Sequence, residues 1–157
     1  LVDFSRHAAK LRKPLLGEYE FRAPVGVALS MILPTLFLAP SPGRGRGVFT
    51  EVPIDKGTIL EIAPVIVLSA NERAFIDQTR LHDYIFLWGE HSDQCAMALG
   101  YVPMYNHRSP SNCEYEMEWD TELIRIRAVR DIEAGEELFI NYQGDHDNTS
   151  PVWFESN

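Results

Sequence analysis

Cysteine is scarce in this sequence. Two thiols, Cys95 and Cys113, among 157 residues are too few for a disulfide framework, and the expected setting is reducing and intracellular, cytoplasm or nucleus rather than secreted. Basic charge is also in deficit: 14 Lys and Arg stand against 23 Asp and Glu, a net −9. Such a surface repels phosphate backbones and attracts Lys- or Arg-rich peptides. Direct nucleic-acid binding is therefore not expected, while a basic guest is. Long apolar runs are missing too. The longest, "VGVALSMILPTLFLAP", is interrupted by Pro34 and bounded by Pro24 and Pro40. It falls short of a membrane span and reads as buried strand. No membrane partner is expected, and no signal-peptide pattern is evident.

What is present is an ordinary globular composition, 45% hydrophobic and 24% charged, in a chain of one-domain length that can bury a core. Residues 1–24 carry helical spacing at Phe4, Ala8 and Leu11 until Pro14 ends it, which predicts a flanking helix and loop. Residues 25–145 form the expected domain. Val25 to Leu38 reads as strand, "SPGRGRG" as a turn-rich break, and "VFTEVPIDKGTILEIAPVIVLS" as strand, turn at Asp55-Lys56-Gly57, strand. Ser69 with Glu72 predicts a capping box opening a short helix. "DYIFLWG" is strand-like and aromatic. "CEYEMEWDTELIRIRAVRDI" alternates as a hairpin turning at Asp120-Thr121. Many short strands with little helix predict a mainly β, β-rich α+β fold. Residues 146–157 are a tail.

Several chemistries fail on spacing. "GRGRGVF" is followed by Val48, Phe49 and Thr50 rather than a helix, so it is not a phosphate loop. It is either a Gly-rich hairpin turn or a close backbone approach to a ligand. His82, His91, Cys95 and His107 lack paired ligand spacings, and no metal site is expected. No Gly-x-Ser-x-Gly elbow supports a Ser-His-Asp triad. Glu136-Glu137 reads as a solvated turn. The pair Asn106-His107, on an apolar shoulder, is harder to explain by turn geometry alone.

Three pieces in order change the reading: "GRGVF" at 45–49, "YNHRSPSNCEY" at 105–115 and "AGEELFINY" at 134–142. Together they resemble the SET domain, a protein-lysine methyltransferase fold that uses S-adenosylmethionine, over Leu36 to Gly144. The resemblance implies several small sheets, few short helices and a pseudoknot in which the Asn-His segment is threaded through the later chain. It implies that Gly45, Arg46 and Gly47 lie against the methionine end of the cofactor. Asn106 would hold its amino acid end, and the His107 backbone would contact the adenine. Tyr142 matches the catalytic tyrosine. Tyr115 matches a catalytic-site tyrosine lining the lysine channel, and Tyr84 is a looser third wall.

The departures are Arg108 and Ser111, where the family has Ser and Pro, with Pro110 as a shifted turn former. The cysteines of the family's zinc-bound tail are also missing. Trp153 and Phe154 are then candidates for an aromatic lid on the substrate channel, or for docking the tail on the core. The implied substrate is a lysine of a histone or other basic protein. The alternative is a catalytically silent module that binds basic peptides.

Overall fold

The computed structural model describes residues 30–149; the flanking helix expected in residues 1–24 and the pair Trp153 and Phe154 lie outside them. The described elements run β1 (Met31–Ile32), β2 (Leu36–Ser41), β3 (Gly45–Thr50), β4 (Ile59–Leu68), α1 (Ala70–Ile76), β5 (Phe86–Trp88), β6 (Gln94–Ala98), β7 (Asn106–His107), β8 (Cys113–Glu118), β9 (Leu123–Ala128) and β10 (Glu137–Ile140). Short 3-10 turns cover Arg80–Tyr84 and Val102–Met104. The fold is β-rich, as the many short strands predict, and is built from small sheets, as the resemblance implies.

The larger sheet runs β5-β6-β4-β9-β8, with β1 also on β4. Alternation explains the β8–β9 hairpin. Ile124 and Ile126 are fully buried, while Arg125 and Arg127 point the other way and bridge to Glu118 at 2.6 Å and Glu116 at 3.2 Å. Such cross-strand pairs fix register as well as adding stability. Pro64 lies inside β4, where a missing N–H would ordinarily break a ladder. It sits where β4 changes partner: β9 pairs through Pro64, and β6 takes over at Val65.

The smaller sheet runs β2-β3-β10-β7. Gly45 and Gly47, expected in a turn-rich break, are instead in β3, opposite Ser41 and Ala39. The tight turn comes earlier, with the Arg44 amide bonded to the Ser41 carbonyl at 3.1 Å. Val25–Leu38 is likewise not one strand among its described residues, because β1 and β2 are separated at Pro34-Thr35. The aromatic "DYIFLWG" divides too, into the end of a 3-10 turn and then β5. The capping box is present: Ser69 Oγ accepts from the Glu72 amide, and Glu72 Oε2 accepts from the Ser69 amide at 2.9 Å.

β7 and β10 pair in parallel, Asn106 opposite Phe139 and His107 opposite Ile140. The later chain also holds the loop that follows β7. The Ser111 amide donates to the His146 carbonyl at 2.9 Å, and Ser109 Oγ donates to the Asn148 carbonyl at 2.7 Å. Asn112 locks the other flank, accepting from the Phe139 amide at 2.7 Å and donating to the Glu137 carbonyl at 2.8 Å. The interlocked 106–112 and 137–148 segments carry the expected pseudoknot contacts, and one core of Val48, Leu60, Val102, Ile126, Leu138 and Ile140 lies beneath them.

Candidate active site

Asn106 enters the site from the short parallel strand β7. Its Nδ2 donates to the Arg46 carbonyl at 3.0 Å and to Glu137 Oε1 at 2.7 Å. An amide nitrogen has two hydrogens, so both are committed and the amide oxygen retains acceptor capacity. The second oxygen of Glu137 accepts from Ser41 Oγ at 2.9 Å. Gly47 makes this arrangement possible. A Cβ built there would overlap Glu137 Oε1 and come within 2.9 Å of the Asn106 amide nitrogen. The glycine expected to let backbone approach a ligand thus first lets a carboxylate approach the backbone.

Tyr142 is held from two directions. Its hydroxyl donates to the Tyr105 carbonyl at 2.9 Å, and its amide donates to His107 Nδ1 at 3.2 Å. The His107 and Tyr142 rings are 5.3 Å apart. Burial, then the neighbouring Tyr84 and Asp83, pushes the Tyr142 hydroxyl up to about 12, so it is a neutral phenol at physiological pH. Burial, then Arg44, holds the His107 imidazole below its usual range. A neutral ring suits an Nδ1 that accepts a bond.

Two cavities meet here. The first, about 430 Å³, is lined by Arg44, Gly45, Arg46, Asp83, Tyr84, Pro103, Met104, Asn106 and Tyr142. The second, about 320 Å³, is lined by aromatic and aliphatic groups including Tyr84, Phe86, Tyr105, Tyr115, Met117 and Tyr142. Asp83, Tyr84, Pro103 and Tyr142 belong to both. Tyr115 packs edge-on against Phe86 at 5.5 Å, and burial raises its hydroxyl pKa.

Of the residues singled out in the sequence, Gly45, Arg46 and Asn106 line the first cavity and Tyr115 the second, while Tyr84 and Tyr142 line both. Gly47 and His107 line neither: Gly47 backs the Asn106–Glu137 contact, and buried His107 sits under Tyr142. Trp153 lies outside the described residues.

Sequence reasoning missed Glu137, which is the first residue of β10 and bonded to Asn106, not part of a solvated turn. Its neighbour Glu136 is also engaged, accepting from Arg130 and Asn112. Three consecutive buried residues follow in β10, so no alternation marked which way Glu137 points. At the departures from the family pattern, Arg108 lies over the Phe139 ring at 5.4 Å, with Arg44 over the same ring at 5.8 Å. Ser111 Oγ donates to the Cys113 carbonyl at 2.7 Å. Among the described residues, no His, Cys, Asp and Glu groups cluster as metal ligands.

The sequence model described as SET domain matches residues 45–143. A histone-lysine N-methyltransferase of Schizosaccharomyces pombe, H3 lysine-37 specific, is 36% identical over 113 residues, 71% of each chain. A Plasmodium falciparum protein named a "putative histone methyltransferase" superposes with a TM-score of 0.54 at 26% identity, over 69% of this chain and 92% of that one. The Chaetomium thermophilum Polycomb Repressive Complex 2, in an autoinhibited form bound to S-adenosylmethionine, gives a TM-score of 0.59 at 23% identity. That likeness covers 69% of this chain but 15% of the larger one, and it shows the fold alone.

Proposed function

The chain belongs to the SET-domain family of protein-lysine methyltransferases, and from that premise we propose that it transfers a methyl group from S-adenosylmethionine to the ε-nitrogen of a lysine in a histone or similar basic protein. The observation that carries this reading is the meeting of two cavities at one half-buried tyrosine, Tyr142. The first cavity has the chemistry of an amino acid subsite. The Asn106 amide oxygen, its nitrogen held from behind by the Glu137 carboxylate, suits an ammonium, and Arg44 and Arg46 suit a carboxylate. Gly45 leaves room at its edge. The second cavity, walled by Tyr84, Phe86, Tyr115 and Met117, suits a lysine's apolar stem.

When bound, S-adenosylmethionine supplies an electrophilic methyl on a sulfonium. The chain's own residues must then deliver a neutral amine along the right line. Neutralising lysine at pH 7 costs roughly 4.6 kcal/mol from its ordinary pKa. The aromatic channel lowers that cost by disfavouring the ammonium. Tyr142 is a poor candidate for a base, because its hydroxyl is neutral and its proton is directed at the Tyr105 carbonyl. Its role is alignment: the phenol oxygen and nearby carbonyls orient the amine.

Histones as the substrate class are supported by the relative's own specificity and by the net charge of −9. A nuclear or cytoplasmic site of action follows from that substrate. Transfer of a radiolabelled methyl group to core histones tests the reading. Label on lysine is the expected result. Peptide binding without transfer would return the chain to a silent binding module.

A further inference from the structure

Glu61 stands in the middle of β4 with no exposed surface. It lies in register with Ile32 of β1 and Ile126 of β9. A carboxylate buried without a cation is costly, and among the described residues no ion pair involves Glu61. What it has instead is a backbone partner. Glu61 Oε1 accepts from the Tyr101 amide at 2.7 Å, at the entrance to the 3-10 turn Val102–Met104. Gly100, one residue earlier, has φ +89°, and a Cβ there would overlap the same oxygen. A glycine is thus required twice over for this approach.

The other end of the carboxylate is unfinished. Glu61 Oε2 and the Tyr105 hydroxyl are both buried, and neither forms a bond of good geometry. They nonetheless interact: after burial, the charge of Glu61 is the next influence raising the Tyr105 hydroxyl pKa. Three residues after the turn begins come Tyr105, whose carbonyl receives the Tyr142 hydroxyl, and then Asn106. One buried carboxylate therefore stands behind both halves of the site.

We propose that Glu61 is a positioning residue for methyl transfer: by gripping the Tyr101 amide it fixes the 100–105 turn, and through that turn the Tyr105 carbonyl that aims Tyr142 and the strand that presents Asn106. The inference rests on the reading of Asn106 and Tyr142 given above. It carries a pH signature, because burial pushes the Glu61 carboxyl up to about 7. The titratable group facing it is the Tyr105 hydroxyl, while Tyr101 and Val102 of the turn present backbone amides. β1 and β9 present Ile32 and Ile126, and Arg125 and Arg127 of β9 are paired with Glu118 and Glu116.

Two variants of the full chain test this. Glu61→Gln keeps a carbonyl acceptor and the volume but cannot ionise; Glu61→Leu removes the acceptor. Amide hydrogen exchange, resolved by segment, is compared with methyl transfer to core histones between pH 6 and 9. Glu61→Leu should speed exchange across residues 100–106 by ~10-fold or more while the β8–β9 hairpin stays protected. It should lower kcat by at least ~10-fold with a smaller effect on KM. Glu61→Gln should restore the exchange pattern and most of kcat, and abolish the inflection near neutral pH. Wild-type exchange at 100–106 and wild-type kcat in Glu61→Leu would overturn the proposal. If Glu61→Leu does not fold, a wild-type pH profile in Glu61→Gln overturns it instead. If the native chain methylates nothing, the enzymatic reading fails, and the exchange comparison of the folded variants still decides whether Glu61 holds the turn.

Discussion

The hydroxyl of Tyr142 and the carbonyl of Tyr105 are joined at 2.9 Å where the two cavities meet. This bond commits the phenol proton to the Tyr105 carbonyl and leaves the oxygen to act as an acceptor. It also ties the tyrosine to the backbone that leads directly into Asn106. The phenol proposed to align the nucleophile and the amide proposed to hold the methyl donor are therefore both tied to the adjacent residues Tyr105 and Asn106.

Tyr142→Phe removes the hydroxyl and little else. The ring keeps its packing against His107 and its amide bond to the same imidazole. Affinity for S-adenosylhomocysteine, measured by calorimetry, should be nearly unchanged. Methyl transfer should fall by at least ~100-fold, the scale expected when reacting atoms lose alignment. Raising the pH should not restore it. Wild-type turnover would remove Tyr142 from the reaction.

Gly47→Ala addresses the other cavity. The added methyl would overlap Glu137 Oε1 and crowd the Asn106 amide, so the carboxylate must swing away and the amide must turn. The backbone itself is not strained, because Gly47 does not need a positive φ. Cofactor affinity should drop by ~10-fold or more, equivalent to losing one charge-assisted bond of about 1.5–3 kcal/mol, with a much smaller change in stability. Equal losses in both would mean that Gly47 serves the fold alone.

Asn106→Ala leaves Glu137 with the Ser41 hydroxyl as its remaining side-chain donor and removes the amide oxygen assigned to the ligand ammonium. Calorimetry should show S-adenosylmethionine binding weaker by about 1.5–3 kcal/mol. Unchanged affinity would exclude Asn106 from the site.

Much of this could be read beforehand. Turn residues at Gly57, the period-two pattern of β8 and β9 and the Ser69–Glu72 cap each have a local cause, and each element formed where that cause lay. The ordered pieces around Gly45, Asn106 and Tyr142 contain residues that line the two cavities. What escaped was non-local. Glu137 looked like half of a solvated pair because its partners, Asn106 and Ser41, are 31 and 96 residues away in sequence. Glu61 sat unremarked inside an apolar strand, its backbone partner 40 residues downstream. Strand pairing across the two sheets created both environments, and no window of neighbouring residues contains them.

Glu61 also makes the stability of the protein respond to pH in an uncommon direction. An unfolded carboxyl releases its proton near 4.5, whereas in the folded chain burial holds that proton to about 7. Between those values the folded state binds more protons, so raising the pH favours unfolding. The stabilising contribution is complete below 4.5 and is lost as pH rises through 7, a total of about 3 kcal/mol at 1.36 per unit. His107 acts in the opposite sense: its depressed pKa contributes stability that is full above the ordinary imidazole value and is lost as pH falls from there through the lower folded pKa. Total stability of the native chain therefore mixes the two, and a difference isolates Glu61. Glu61→Gln has no proton to release there, while His107 is untouched. Urea unfolding at pH 5 and pH 8 should show the variant gaining on the native chain by about 2–3 kcal/mol between the two conditions. A constant difference would mean that Glu61 titrates as an ordinary carboxyl, and the buried grip on Tyr101 would not be the environment this residue experiences.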